Sequence, residues 1–268
     1  MSSNDVAVTL SKVLSESRKI LILLDFDGTL SEIVQNPDDA ALYPPAEKIL
    51  ESLNKCRELI CGIMTGRTLE DVKKKVPIQL PIWSGNHGFQ VEIFGERFSL
   101  SGNESGEQLK EIAGVVMQKF PGEKGLLIEH KGFTLSIHTR RLDHDMERAV
   151  MEFVRRLVSS YPSFTARVGK KVIEVLPAEY PGKGGAFEFI LEKLERMGLG
   201  ECFPVYFGDD VTDIEVYERM VGRGEGVFVF VRGSDPVNFE GELEVDGVDG
   251  VVKCLRKLYE ITISRREK

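Results

Sequence analysis

The sequence predicts an α/β protein, a doubly wound, Rossmann-like core of parallel strands with a smaller α+β domain inserted in it. Short apolar runs that stop abruptly at polar residues alternate with stretches of helical spacing, first over residues 20–88 and again over 185–231. Continuous short apolar runs are the mark of strands buried on both faces, and helices on both sides of a parallel sheet are what bury them. Between these stretches, over roughly residues 103–178, the rhythm changes to paired strands around long helices, the pattern of an α+β unit. The chain's 268 residues, 42% hydrophobic, also supply enough apolar surface for one large or two modest domains. The expected division is therefore 1–102 with 179–268 for the core and 103–178 for the insertion.

In chain order, Ile20 to Leu24 is an aliphatic run ending in Asp25, a buried strand that delivers a carboxylate at its end. After a loop with Pro37, Pro44 and Pro45, Ala46 to Cys56 reads as a helix and Glu58 to Met64 as a second strand ending in Thr65-Gly66-Arg67. A helix over Thr68 to Val76 leads to a third strand, Ile82-Trp83-Ser84, which runs into Gly85-Asn86-His87-Gly88. In the insertion, Ser105 to Lys119 is helical, Leu126 to Glu129 and Thr134 to His138 are paired strands, and His144 to Ser159 is a long amphipathic helix. Phe164 to Val168 with Lys171 to Leu176 completes it as a hairpin. The α/β rhythm resumes with a helix over Gly185 to Met197, a strand over Pro204 to Phe207 that stops at Gly208-Asp209-Asp210, a helix over Ile214 to Met220 and a strand over Val227 to Val231. Gly222 to Gly226 reads as a turn.

Charge and composition exclude several classes of function. Lys plus Arg number 35 against 43 Asp plus Glu, a formal charge of −8, the opposite sign to that of a nonspecific nucleic-acid binder. The N-terminal MSSNDVAVTLSKVLSESRKI is polar and helical in pattern, without the basic start and apolar run of a signal peptide, and no window reaches 18 apolar residues. A cytoplasmic protein with no membrane partner is expected. Cys56, Cys61, Cys202 and Cys254 form no CxxC pair and lack histidines at zinc spacing, so they read as small buried apolar residues.

The candidate site lies beyond the carboxyl ends of the strands, where open α/β sheets bind their ligands. Asp25-Phe26-Asp27-Gly28-Thr29 places two carboxylates one residue apart just past a buried strand. Alone, the pair could be a solvated Asx turn. Alternatively Asp25 attacks phosphorus and Asp27 exchanges a proton with the leaving oxygen. Such chemistry needs a hard divalent cation held by carboxylates, and Asp209 is the candidate ligand at the end of another strand. Asp210 and Asp213 would orient waters or Lys183 from behind, or cap the following helix. Thr65 and Gly66 offer a hydroxyl and an unobstructed N–H to a phosphate, and Lys183, in Pro181-Gly182-Lys183-Gly184-Gly185, could bridge phosphate and Asp25. That run is not a Walker A loop, so a flexible turn with a solvated lysine is the other reading.

The order and spacing of DxDGT, the hydroxyl after the second strand, the lysine and Gly208-Asp209-Asp210 resemble the four motifs of haloacid dehalogenase (HAD) phosphatases. Asn36-Pro37, Gly85-Asn86-His87-Gly88, Glu129-His130-Lys131, His138-Thr139-Arg140, Gly169-Lys170-Lys171, Glu174-Val175-Leu176-Pro177 and GDDVTD are similar to the trehalose-phosphatase branch of that superfamily, over residues 20–220. The resemblance implies hydrolysis of trehalose 6-phosphate through an aspartyl-phosphate, with Mg2+ as cofactor and a sugar phosphate as the binding partner. Asp25 would be the nucleophile and Asp27 the general acid and base that also lends its backbone carbonyl to Mg2+; Asp25, Asp27 and Asp209 would form the metal set. Thr65 and Lys183 would hold the phosphate, with Gly66, Arg67, Asn86 and His87 beside them. The insertion would be a cap in which Glu129, Lys131, Arg140 and Glu174 contact sugar hydroxyls, or else line a solvated sheet face. The sequence departs from the pattern at Thr65 (serine is usual), Thr139 (aromatic), Leu176 (arginine), Pro181-Gly182 and Ile214-Glu215, none of which removes a catalytic group; Thr139 and Leu176, in the presumed cap, bear on the sugar and not on the reaction. Two alternatives stand beside this reading: the same chemistry on another sugar phosphate, and a catalytically dead sensor or synthase partner, against which the presence of Asp25, Asp27, Lys183 and Asp209 argues.

Overall fold

A computed structural model describes residues 6–9, 12, 19–34, 36–100, 106–169, 171–179, 181–233 and 243–266. The chain forms two compact units, Met1–Phe98 with Gly182–Lys268, and Ser99–Pro181.

The first unit is built on an eight-stranded sheet. In chain order its strands are β1 (Lys19–Leu24), β2 (Leu59–Met64), β3 (Ile82–Gly85), β4 (Gln90–Ile93), β5 (Glu96–Ser99), β10 (Cys202–Gly208), β11 (Val227–Arg232) and β12 (Leu243–Asp246), arranged β12-β11-β10-β1-β2-β3-β4-β5. From β12 to β3 all neighbours are parallel, and β4 is antiparallel to β3. β1 lies in the middle, and Ile20 to Leu24 are wholly buried because helices cover both faces. Each such aliphatic side chain gains about 1.5–3 kcal/mol from burial, which is what allows the strand to end in a charged residue. Register then sets the site: Leu24 stands opposite Phe207 of β10 and Ile63 of β2, and the Asp25 N–H donates to the Phe207 carbonyl at 2.9 Å. Asp25, Thr65 and Asp209, each just past its strand, therefore reach one edge of the sheet.

The helices of this unit are α1 (Pro44–Asn54), α2 (Leu69–Lys75), α5 (Gly182–Arg196), α6 (Ile214–Arg223) and α7 (Gly247–Arg266). α1 starts on a proline pair suited to a first turn and buries Ala46, Ile49, Leu50 and Leu53. α2 is capped by Thr68, whose hydroxyl accepts from the Asp71 N–H, and carries Lys73, Lys74 and Lys75 in its last turn. α5 begins three residues before the expected Gly185, so Lys183 sits in its first turn and not in a loop. Glycines at 182, 184 and 185 weaken the local helix signal, and the ion pairs of Lys183 supply what the local sequence lacks. α6 runs on through Gly222, and the expected turn begins at Gly224, in the left-handed region. The N-terminal segment is helical at Val6–Thr9; much of it lies outside the described residues.

The second unit has a four-stranded antiparallel sheet, β6 (Leu127–His130), β7 (Leu135–His138), β9 (Val172–Pro177) and β8 (Phe164–Gly169) in that spatial order, with α3 (Gly106–Lys119) and α4 (His144–Val158). Leu109, Ile112 and Val116 of α3 and Val150, Val154 and Val158 of α4 pack on Leu135, Ile137, Ile173 and Val175. This unit starts four residues earlier and ends three later than the change of sequence rhythm. Among the described residues no helix is long and apolar enough to cross a membrane, and all four cysteines are buried, the Cys61 thiol pushed up to about 12 by burial.

Candidate active site

The site is organised around a buried lysine. Lys183, only 2% exposed, donates to Asp25 Oδ1 at 2.9 Å and to Asp213 Oδ1 at 2.6 Å. Burial works against its charge, but Asp213 and Asp25 outweigh burial and hold the ammonium well above its ordinary range. Asp213 also accepts from the Tyr206 hydroxyl at 2.6 Å and from the backbone N–H groups of Asp209 and Asp210 at 3.1 and 3.0 Å. Its carboxylate thus has four donors, which suits it to orienting Lys183 and the Gly208-Asp209-Asp210 turn. Gly208 is required there, since a Cβ would lie 2.5 Å from the Asp213 carboxylate. Asp210 faces elsewhere: it is exposed and caps the short turn 211–213, accepting from the Val211 N–H at 2.6 Å, so of the two expected supporting carboxylates only Asp213 touches the lysine.

Asp25, Asp209 and Asp213 bring carboxylate oxygens within 4.8 Å of one another. Burial, with the charges of Asp213 and Asp209 adding and Lys183 opposing, raises Asp25 well above the carboxylate range. Burial and then Asp213 push Asp209 up to about 8. Three such carboxylates share one ammonium, so the cluster lacks positive charge. An all-oxygen, electron-rich donor set is what a hard divalent cation requires, and a cation there would reverse both shifts. With Asp213 saturated, Asp25 and Asp209 are the side chains left to hold it. Thr29 steadies Asp209, its hydroxyl donating to Oδ1 at 3.3 Å.

Asp27 is turned to Arg67, which donates from Nε and Nη2 to its two carboxylate oxygens at 2.7 Å each. Nη1 meets Asp71 at 2.7 Å and Nη2 the Pro37 carbonyl at 2.9 Å. Four of the five guanidinium N–H groups are thereby engaged, so the arginine expected at the phosphate bonds Asp27, Asp71 and the Pro37 carbonyl in this structure. Thr65 is buried and its hydroxyl accepts from the Arg67 N–H at 3.2 Å. The Asn86 N–H donates to the Arg67 carbonyl at 2.7 Å and the His87 N–H to the Thr65 carbonyl at 3.1 Å. Asn86 and His87 are both left-handed, with φ of 50° and 53°, and such backbone strain is held only where the surroundings over-determine it. Gly66 lies against the His87 ring, which a Cβ would approach to 2.4 Å. The two loops after β2 and β3 are thus locked into one surface.

Glu129, Lys131, Arg140 and Glu174 all belong to the second unit. Glu129 and Glu174 flank Ser136 in register, the Lys131 ammonium is 3.9 Å from the Glu129 carboxylate, and Arg140 is exposed two residues past β7. Thr139, the departure in that motif, is buried and bonded to Glu147 at 3.2 Å. Sequence reasoning missed Tyr206 and the pairing of Arg67 with Asp27. A tyrosine inside an otherwise apolar strand is a usable signal, because a buried phenol needs a hydrogen-bond partner.

A parallel sheet whose central strand ends in an aspartate pair, backed by a buried lysine, is the core of the haloacid dehalogenase superfamily of phosphatases, and comparison narrows the class. A profile of the trehalose-phosphatase family matches residues 23–237, and the chain belongs to that family. The probable trehalose-phosphate phosphatase J of Arabidopsis thaliana is 30% identical over 233 residues, 82% of this chain and 62% of its own length. Trehalose-phosphate phosphatase B of the same plant is 28% identical over 258 residues, 92% of this chain and 68% of its own length. The chain spans about two thirds of the length of these relatives. The C-terminal domain of Candida albicans trehalose-6-phosphate phosphatase has the same fold, with a TM-score of 0.76 at 23% identity over 95% of this chain and 96% of its own. The C-terminal domain of a Candida albicans trehalose synthase regulatory protein shares the fold too, with a TM-score of 0.68 at 12% identity over 91% and 97%. An enzyme and a regulator thus share this fold, and what distinguishes them lies in the side chains at the strand ends.

Proposed function

We propose that this chain hydrolyses trehalose 6-phosphate to trehalose and phosphate through an aspartyl-phosphate on Asp25. The observation that carries the reading is the cluster of Asp25, Asp209 and Asp213, the first and last buried and Asp209 half-buried, in which Lys183 is the one ammonium bonded among the described residues. It is short of positive charge, as a site for a cation and a phosphoryl group must be. An Asp25 oxygen attacks phosphorus, the bond from phosphorus to the sugar oxygen breaks, and Asp27 gives that oxygen its proton. Asp27, now ionised, takes a proton from water, whose oxygen attacks the acyl phosphate and releases phosphate and free Asp25. Mg2+, when bound, neutralises charge on the phosphate oxygens; Asp25, Asp209 and the backbone carbonyl of Asp27 are the groups that would hold it. Lys183 and Thr65 hold the phosphate. Arg67 holds both Asp27 oxygens between turnovers, and one of them leaves it to carry the proton. Glu129, Lys131, Arg140 and Glu174 of the inserted unit hold the sugar, and the buried cysteine thiols suit a reducing cytoplasm.

Phosphate release from a panel of esters tests the reading. A site that hydrogen-bonds a disaccharide leaves its polar groups unpaired around a smaller sugar, so kcat/KM for trehalose 6-phosphate should exceed that for glucose 6-phosphate by about 100-fold or more. Equal rates would reject trehalose 6-phosphate as the substrate.

Metal linkage gives a second check. A carboxylate raised from its unfolded value of 3.8 to about 8 is protonated in the folded, metal-free protein over that interval while the unfolded chain is ionised. The folded state then binds more protons, and this group's contribution to stability, full below pH 4, is lost as pH rises toward 8. Mg2+ competes with those protons. The rise in melting temperature between EDTA and MgCl2 should therefore be larger at pH 8 than at pH 5. A smaller rise at pH 8 contradicts the assignment of Asp209.

A further inference from the structure

The sheet of the inserted unit has two unlike faces. Leu135 and Ile137 of β7, with Ile173 and Val175 of β9, pack on α3 and α4, and strand alternation turns Thr134, Ser136 and His138 to the opposite face. On that face, register lines up Glu129 of β6, Ser136 of β7, Glu174 of β9 and Arg167 of β8 in one row across all four strands. Directly opposed residues of this kind hold their Cβ atoms about 5 Å apart. Within this polar setting Thr134 and Ser136 are 2% and 1% exposed, and neither hydroxyl has a hydrogen-bond partner.

Two orphaned hydroxyls on either side of Leu135 are costly, because a buried hydroxyl normally finds a partner and loses about 1–3 kcal/mol when it does not. Carboxylates only accept, whereas hydroxyls both donate and accept. Ser136 between Glu129 and Glu174 therefore makes an acceptor, donor-acceptor, acceptor series at sheet spacing. Vicinal sugar hydroxyls fit such a series: each donates to a carboxylate and exchanges a hydrogen bond with the serine or threonine between.

We propose that Ser136 and Thr134 are specificity-determining contacts, their hydroxyls completed by hydroxyls of the sugar half of the substrate. This rests on the sugar-phosphatase reading above and adds two residues to it.

The test uses Ser136→Ala, Thr134→Val and Thr134→Ser in the full chain, assayed on trehalose 6-phosphate and on p-nitrophenyl phosphate, with melting temperatures. Removing an unpartnered buried hydroxyl leaves the fold as stable as before or more so. Ser136→Ala and Thr134→Val should each cut kcat/KM for trehalose 6-phosphate by about tenfold, mainly through KM, with p-nitrophenyl phosphate turnover within twofold of wild type. Thr134→Ser, which keeps the hydroxyl, should retain wild-type KM. Unchanged KM in both hydroxyl-less variants overturns the proposal, as does an equal loss on both substrates with a lowered melting temperature, which marks the hydroxyls as structural. Failure of the substrate reading shows separately, as a wild-type enzyme that does not favour trehalose 6-phosphate in the ester panel. The variants are then judged on the sugar ester that the wild type prefers, against p-nitrophenyl phosphate.

Discussion

Asp25→Asn is expected to lower phosphate release from trehalose 6-phosphate by roughly 10^4-fold or more, the scale on which removing a nucleophile acts, with no loss of melting temperature. An amide neither attacks phosphorus nor carries the charge that a cation needs. The fold should not suffer, because the charged form of Asp25 is already disfavoured by burial. An Asn oxygen can still accept from Lys183, and Lys183 keeps its 2.6 Å bond to Asp213. Asp27→Asn should behave differently. Its loss should be larger on trehalose 6-phosphate, whose sugar oxygen must be protonated as it leaves, than on p-nitrophenyl phosphate, whose leaving group departs as the anion. More than about 1% residual activity in Asp25→Asn would rule out the aspartyl-phosphate. Equal losses on the two substrates in Asp27→Asn would make Asp27 a purely structural or metal-holding group.

The parallel core was legible because strands buried on both faces are written as short, mostly apolar runs, as β1, β2, β10 and β11 are. β4 and β5 were not, since strands toward this end of the sheet bury less: β4 alternates half-buried with buried residues, and β5, at the edge, is largely exposed. β12 and α7 went unassigned as well, though they close the far edge of the sheet. The placement of Asp25 and Asp209 could be read because charged groups at the ends of apolar runs are conspicuous. Asp25 and Asp213 were candidate partners of Lys183, and it bonds both. The partner of Arg67 could not be read: it reaches Asp27 across 40 residues of sequence, and no local pattern encodes such a pair. The hydroxyls of Thr134 and Ser136 were hidden for a related reason. In sequence they are ordinary polar positions of an alternating strand, and only burial and register show that they lack partners.

Gly28→Ala is expected to raise the Mg2+ concentration needed for half-maximal activity by about 100-fold or more, beyond the 10–100-fold typical of losing a group that merely supports a ligand. Gly28 has φ of +87°, and a Cβ built there would lie 2.0 Å from Asp209 Oδ2 and 2.3 Å from its Cγ. Something must move. The backbone of the turn is tied, the Gly28 N–H to the Ser31 carbonyl at 2.7 Å and the Leu30 and Ser31 N–H groups to the Phe26 carbonyl at 2.9 and 2.8 Å. The displacement therefore falls on the Asp209 carboxylate, the group assigned to the cation. Backbone strain alone costs a non-glycine residue about 1–2 kcal/mol in the left-handed region, and Gly95→Ala isolates that cost: its φ is also +87°, with nothing within 4 Å of its Cβ. Gly95→Ala should lose some stability and keep the wild-type Mg2+ dependence and Mg2+-induced rise in melting temperature. Gly28→Ala should lose both. A Gly28→Ala protein with the metal response of Gly95→Ala would show that Asp209 does not hold the cation and would move the metal assignment away from β10.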